Sequence, residues 1–306
     1  MSSFQVAIFA LRRALRAPRL VLLLWGAHFL LAAIAAYPML RQLDEALSLT
    51  PAGDEFLQRF SLPLFADVAR AGGGGTAAFG PLLGVVALLA LLWNVFAAGG
   101  ALETLLPRDP AGVAHRFGRG GGRYFTRFLR MGLAAAPTAL LAAVLFAGPV
   151  FAVSGALDDS AEGAKYWLGL LGAAAAGFAI LLVLLALDLA RVVVARDDSA
   201  RPVRVFFAML RSTLRRPGRA LALWACLAVA FGCVLALYLA FRQLVPAGGA
   251  ATVFALFVVQ QLVMIGRSAM RVALWSGELV LVDRLRPAAP FGERLAAAGW
   301  VQPPSA

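Results

Sequence analysis

The chain has 306 residues, 61% of them hydrophobic, with a mean hydropathy of +0.82 and a formal net charge of +12. A soluble domain of this size is about half apolar, so the composition excludes an ordinary soluble fold. The excess charge invites a nucleic-acid reading, but its distribution along the chain follows a membrane topology instead.

From the amino terminus, Phe4, Ile8, Leu11 and Leu15 step by four, three and four residues, which is one apolar face of a helix. Arg12 and Arg16 fall off that face. Such a helix is expected to lie in the headgroup layer, apolar side down, with its arginines reaching anionic lipid phosphates. Pro18 then opens the next helix, where its missing N–H costs nothing, and the residue before it is pushed out of the α region. The unit is predicted to be an elbow, turning an in-plane helix into a spanning one.

Leu20–Leu40 is the first of six stretches without Asp, Glu, Lys or Arg; the others are Ala71–Leu102, Met131–Leu157, Tyr166–Leu187, Ala220–Phe241 and Gln243–Gly266. A helix needs roughly 20 residues to cross the bilayer core, and each stretch is long enough. Their apolar character is continuous, which predicts helices and not the alternating strands of a barrel. Leu20–Leu40 also resembles a signal-peptide core, with Ala33-Ile34-Ala35 as a cleavage-like site. Its length and its mid-chain counterpart, described next, favour an uncleaved span.

The counterpart lies 199 residues downstream. Leu11, Arg12, Leu15, Arg16, Pro18, Leu22, Leu24 and Trp25 match Leu210, Arg211, Leu214, Arg215, Pro217, Leu221, Leu223 and Trp224 without a gap. Val203, Phe207, Leu210 and Leu214 repeat the apolar spacing of the first elbow. A weaker copy, "GGRYFTRFLRMG", precedes the third span with Arg123, Arg127 and Arg130 beside Phe125, Phe128 and Leu129, and lacks the proline. The expected architecture is therefore all-α: one six-span membrane domain over 1–287. It is built from parallel units of an elbow and a two-helix hairpin at about 1–110, 111–200 and 201–287. An outside loop at 41–79 is expected to hold a short amphipathic helix, and 288–306 to form a cytoplasmic tail with a short helix near 291–300.

Charge sets the orientation. The amino-terminal segment, the connections between spans 2 and 3 and between spans 4 and 5, and the carboxy-terminal segment carry 23 Arg and 8 acids. The other three connections carry 4 Arg, Lys165 and 8 acids. This is the positive-inside bias, which predicts both termini in the cytoplasm.

Four cytoplasmic-end phrases, "AAGGALETLLP", "GGRYFTRFLRMGL", "LDLARVVVARD" and "FFAMLRSTLRRP", carry a family resemblance. The chain resembles uncharacterised bacterial six-helix integral membrane families, and is similar to the membrane domain found with some glycerophosphodiester phosphodiesterases. The resemblance covers most of 4–285 and implies architecture and a cytoplasmic (inner) membrane location. It transfers no catalytic residue, and without the soluble phosphodiesterase domain it implies no such activity. The 27 Arg against a single Lys resemble the coding bias of a high-GC bacterium.

Candidates for chemistry are few. His28 falls near the bilayer midplane, where an ionisable group is a functional candidate and otherwise an interhelical hydrogen-bond donor. Asn94, Gln260 and Gln261 are expected as interhelical glue, and Gly169, Ala173 and Gly177 as a close-packing stripe. A charged layer is expected at the cytoplasmic ends of the even spans: Glu103, Asp188 with Arg191, Arg267 with Arg271, and Glu278. It would either bind an anionic headgroup or solute, or lock helix ends through ion pairs. Cys226 and Cys233 are read as small apolar residues of span 5. No HExxH, GxSxG or P-loop occurs, so no catalytic residue, metal site or cofactor is assigned. The expected function is that of a membrane accessory or scaffold protein engaging anionic lipids or partner subunits, not nucleic acid. A permease for small solutes is the second reading, and an enzyme acting on lipid headgroups the third.

Overall fold

The computed structural model describes residues 2–47, 75–106, 112–157, 162–245 and 249–285. Eight helices and no strand occur among the described residues: α1 (Ser3–Leu15), α2 (Pro18–Leu47), α3 (Gly75–Leu105), α4 (Val113–Gly155), α5 (Glu162–Asp197), α6 (Pro202–Arg215), α7 (Gly218–Leu244) and α8 (Ala250–Leu285). Six contain stretches long and apolar enough to cross a membrane: Pro18–Pro38, Pro81–Leu105, Val113–Gly155, Glu162–Asp197, Gly218–Leu244 and Ala251–Asp283. This is a multi-pass, all-helical membrane architecture. The short amphipathic helix expected in the outside loop and the short helix expected near 291–300 lie outside the described residues.

Local chemistry accounts for the helix boundaries. Ser2 and Gln5 form a reciprocal capping box at the start of α1: the Ser2 amide donates to Gln5 Oε1 at 2.9 Å and the Gln5 amide to Ser2 Oγ at 3.3 Å. Pro18 opens α2, and Pro202 occupies the first turn of α6. Arg216, which precedes Pro217, leaves the helical region with ψ 66°, so the break between α6 and α7 falls where proline imposes it. The turn from α5 to α6 is made by Asp198 in the left-handed region, φ 50°, with the Ser199 amide reaching back to the Val194 carbonyl at 3.3 Å. That is a Schellman-type cap with an aspartate where glycine is usual. The sixth span, α8, starts at Ala250, later than the apolar run suggests, because Gly249 and Thr252 cap it.

Two breaks match the expected elbows, and one does not. The basic segment before span 3 is continuous with it in α4, a single helix of 43 residues. At 1.5 Å per residue it is about 65 Å long, twice the roughly 30 Å core. Nothing in "RFLRMGL" stops a helix: it has no proline, and an isolated glycine is tolerated in a helix.

Burial is concentrated at one end of every span. In α2, α4 and α7 most of the buried residues lie toward the amino-terminal end, for example Leu20, Leu24, Phe117, Tyr124, Phe128, Leu223 and Leu227. In α3, α5 and α8 they lie at the carboxy-terminal end: most of 95–106, 182–196 and 272–282 is buried. These are the ends next to the arginine-rich segments. The remaining lengths present mostly exposed Leu, Val and Phe, as lipid-facing helices do.

The chain divides into two compact units. One comprises Met1–Ala10, Thr126–Trp224 and Leu274–Ala306; in it α6 packs along α5, and Gly277 of α8 lies against Leu223 of α7 and Ala10 of α1. The other comprises Leu11–Phe125 and Ala225–Ala273; in it α2 packs on α3, and α3 crosses the start of α4.

Candidate functional site

The elbow helices share a burial pattern as well as a sequence pattern. In α1, Ala7, Ala10 and Ala14 are buried; at the same 199-residue offset in α6, Phe206, Met209 and Thr213 are buried. The expected apolar face lies beside it, roughly a quarter-turn round each helix, and it is exposed: Phe4, Ile8 and Leu15 in α1, and Val203, Phe207 and Leu214 in α6. Leu11 and Leu210 are half-buried, and Arg12, Arg16, Arg211 and Arg215 are all exposed. Each elbow thus has a protein-facing side, outside the apolar periodicity and carried in α1 by alanines, and beside it an exposed apolar side flanked by exposed arginines.

The charged layer resolves into separate ion pairs. In the second unit Glu103 is 1% exposed and accepts from Arg119 at 3.2 Å and from the Tyr124 hydroxyl at 3.4 Å. Glycine makes this possible. A Cβ on Gly99 would lie 2.9 Å from the Gly120 carbonyl, and one on Gly100 would lie 2.6 Å from the Phe117 carbonyl. The two backbones touch, and Trp93, Phe96 and Phe117 form an aromatic cluster beside the contact, with centroids 5.8–5.9 Å apart. Arg13 of α1 donates to the Leu105 carbonyl, placing a cation on the negative end of α3. Burial pulls the pKa of that guanidinium down from its ordinary value.

In the first unit Asp188 and Arg191, one helical turn apart, pair at 2.9 Å with both residues buried. Arg196 bridges Asp197 at 2.7 Å and Asp283 of α8 at 2.9 Å. Arg127 of α4 holds Asp198 at 2.6 Å. Glu278 is buried, while Arg271 is half-buried and Arg267 exposed. Of the predicted layer, therefore, Asp188 and Arg191 are brought together, whereas Glu103 takes Arg119 and Tyr124, neither of which the charge pattern singled out. Arg196–Asp283 and Arg127–Asp198 were also missed, because residues 87 and 71 positions apart leave no local spacing to read.

The intramembrane polar residues behave differently from expectation. His28 is exposed, and its Nδ1 donates to the Leu24 carbonyl of its own helix at 2.7 Å. Asn94 is exposed and donates to the Ala90 carbonyl, again within its helix, at 2.7 Å. Neither bridges helices in this way, because a short side chain finds the i−4 carbonyl before it reaches a neighbour. Gln261 does bridge: it accepts from Trp25 Nε1 at 3.2 Å, tying α8 to α2. Gln260 is exposed. The stripe of Gly169, Ala173 and Gly177 is not a packing face; Gly169 and Gly177 border open space, and Gly172 takes the contact, with Phe151 3.3 Å from its would-be Cβ. Among the described residues no group of three His, Cys, Asp or Glu could hold a metal ion.

No protein-family model, curated protein or solved structure matches the chain.

Proposed function

We propose that the protein is a bacterial cytoplasmic-membrane accessory or scaffold protein that grips anionic lipid through repeated elbow helices. The observation that carries this reading is the matched surface of α1 and α6: an exposed apolar face with exposed arginines on one side of it and a face packed on protein on the other. A helix so arranged fits the acyl–headgroup boundary, with guanidinium groups at phosphate height. The repeat gains support from the packing. The start of α4 lies on the end of α3, α6 lies along α5, and Ala10 of α1 lies on Gly277 of α8. Each basic segment thus meets the carboxy-terminal half of an even span, as three related units would require, the middle one having lost its break.

Neither alternative gains an observation. His28 and Asn94, the candidates to line a solute path, each bond a carbonyl of their own helix. Glu103 and Asp188, which would serve an enzyme, are engaged by Arg119 and Arg191.

Each arginine near an anionic surface contributes about 1 kcal/mol. Reversing Arg12, Arg16, Arg211 and Arg215 to Glu together is expected to strip most of the anionic lipid retained after detergent extraction, as read by native mass spectrometry. Replacement by Lys keeps most of it. Retention unchanged by the four reversals would mean that these arginines serve insertion alone.

The arginine bias places both termini in the cytoplasm in this reading. Cysteines introduced at Ser48 and Ser160 are expected to react with an impermeant thiol reagent applied from outside. Those at Ser199 and Ser305 are expected to stay unlabelled, and the inverse pattern overturns the orientation.

A further inference from the structure

The two elbow helices differ in one row of side chains. In α6, Pro202, Phe206, Met209 and Thr213 form the buried arc, and the helix packs along α5. The exposed Val203, Phe207 and Leu214 lie roughly a quarter-turn round from it. Roughly another quarter-turn on, opposite the buried arc, stand Arg204, Arg211 and Arg215, all exposed. Their positions step by seven and four, so they share one face of one helix. At the same 199-residue offset α1 carries Gln5, Arg12 and Arg16. Gln5 is spent on the helix cap, where its Oε1 accepts from the Ser2 amide. The row therefore holds three guanidinium groups in α6 and two in α1.

A guanidinium keeps its charge in a protein, and none of Arg204, Arg211 and Arg215 has an ion-pair partner among the described residues. Arg211 and Arg215 are one turn apart, a spacing that suits one phosphate between them. Arg204 stands seven residues away, about 10 Å along the axis. A phosphodiester carries one negative charge, so a single such group leaves most of the row uncompensated. Arg204 also lies in the first turn of α6, which holds no acidic side chain, and a cation there opposes the helix dipole. A second phosphate at that end answers both. A headgroup with two phosphates on one glycerol brings the second already tethered, at high effective concentration. Its acyl chains then descend along the Val203, Phe207 and Leu214 face.

We infer that α6 binds a lipid with two phosphates, of the cardiolipin class, whereas α1 takes singly charged phospholipid. The inference rests on the lipid reading above and adds the headgroup that tells the two elbows apart. It is tested on the full chain, stripped of lipid in detergent and titrated with cardiolipin or phosphatidylglycerol at equal total phosphate, with bound lipid counted by native mass spectrometry. The wild type is expected to prefer cardiolipin. Arg204→Gln should weaken cardiolipin binding about fivefold, the share of one arginine near an anionic surface, and leave phosphatidylglycerol binding unchanged. Arg204→Lys should keep most of the preference. Arg242→Gln removes an exposed charge at the far end of α7 and should change neither lipid. The thermal midpoint should stay constant throughout. Equal weakening of both lipids by Arg204→Gln would mean independent singly charged lipids along the row and would overturn the inference. So would cardiolipin binding that ignores Arg204→Gln, or that falls as far in Arg242→Gln. The lipid reading itself fails separately, through retention unchanged by reversal of Arg12, Arg16, Arg211 and Arg215.

Discussion

Gly100→Ala and Gly120→Ala are each expected to lower the thermal midpoint of the detergent-solubilised protein by several degrees and to reduce folded yield. Gly118→Ala and Gly122→Ala, in the same short run, are expected to leave both unchanged or slightly raised. The added Cβ at Gly100 would meet the Phe117 carbonyl at 2.6 Å, and that at Gly120 would meet the Glu103 side chain at its own Cβ. Neither obstacle can rotate aside, so the two helices must separate. Overpacking of this kind costs about 1–3 kcal/mol, and separation also pulls Arg119 and Tyr124 away from a buried carboxylate. At Gly118 and Gly122 nothing lies within 4 Å, and replacing a helical glycine by alanine gains about 0.5–1 kcal/mol. Thermal unfolding followed by tryptophan fluorescence reads the difference. If all four alanines behave alike, the α3–α4 crossing does not depend on bare backbone contact.

This contrast marks where the sequence stops being readable. The six spans and both proline elbows were legible because long uncharged runs and repeated Pro–Trp spacing are local signals. The glycines of "AAGGALE" and "GRGGGRY" were visible, but which of them touch depends on how two helices cross, and residues 99, 100, 120 and 121 carry no periodic mark that 118 and 122 lack. The same holds for Arg119 with Glu103 and for Arg196 with Asp283: any arginine near a helix end suits a carboxylate on charge alone. The exposed faces of α1 and α6 followed from apolar spacing. Their buried faces did not, because Ala7, Ala10 and Ala14 read as helix formers before they read as contacts. His28 and Asn94 were expected to bond between helices, yet each bonds a carbonyl of its own helix, because residue type names a hydrogen-bonding group whereas packing decides its partner.

The second large effect belongs to Asp188. Asp188→Lys is expected to remove most of the folded protein, and Asp188→Leu to lower stability severely, because Arg191 would be left as a buried cation. Arg191 is 8% exposed, its NH1 bonds Asp188 at 2.9 Å, and its Nε has no hydrogen-bond partner. Removing one member of a buried pair typically costs about 3–5 kcal/mol, whereas replacing both by apolar residues of similar volume is often close to neutral. Asp188→Leu combined with Arg191→Leu should therefore recover much of the loss, and so should the exchanged pair Asp188→Lys with Arg191→Glu. Arg267→Glu should rescue neither single variant, because Arg267 is exposed. Folded yield by fluorescence-detection size exclusion ranks these variants directly. A functional role would show itself differently: Asp188→Asn would fold like the wild type and still lose anionic-lipid retention or association. If Asp188→Leu alone proves as stable as the double leucine, the pair does not hold the end of α5, and Asp188 belongs to a binding surface.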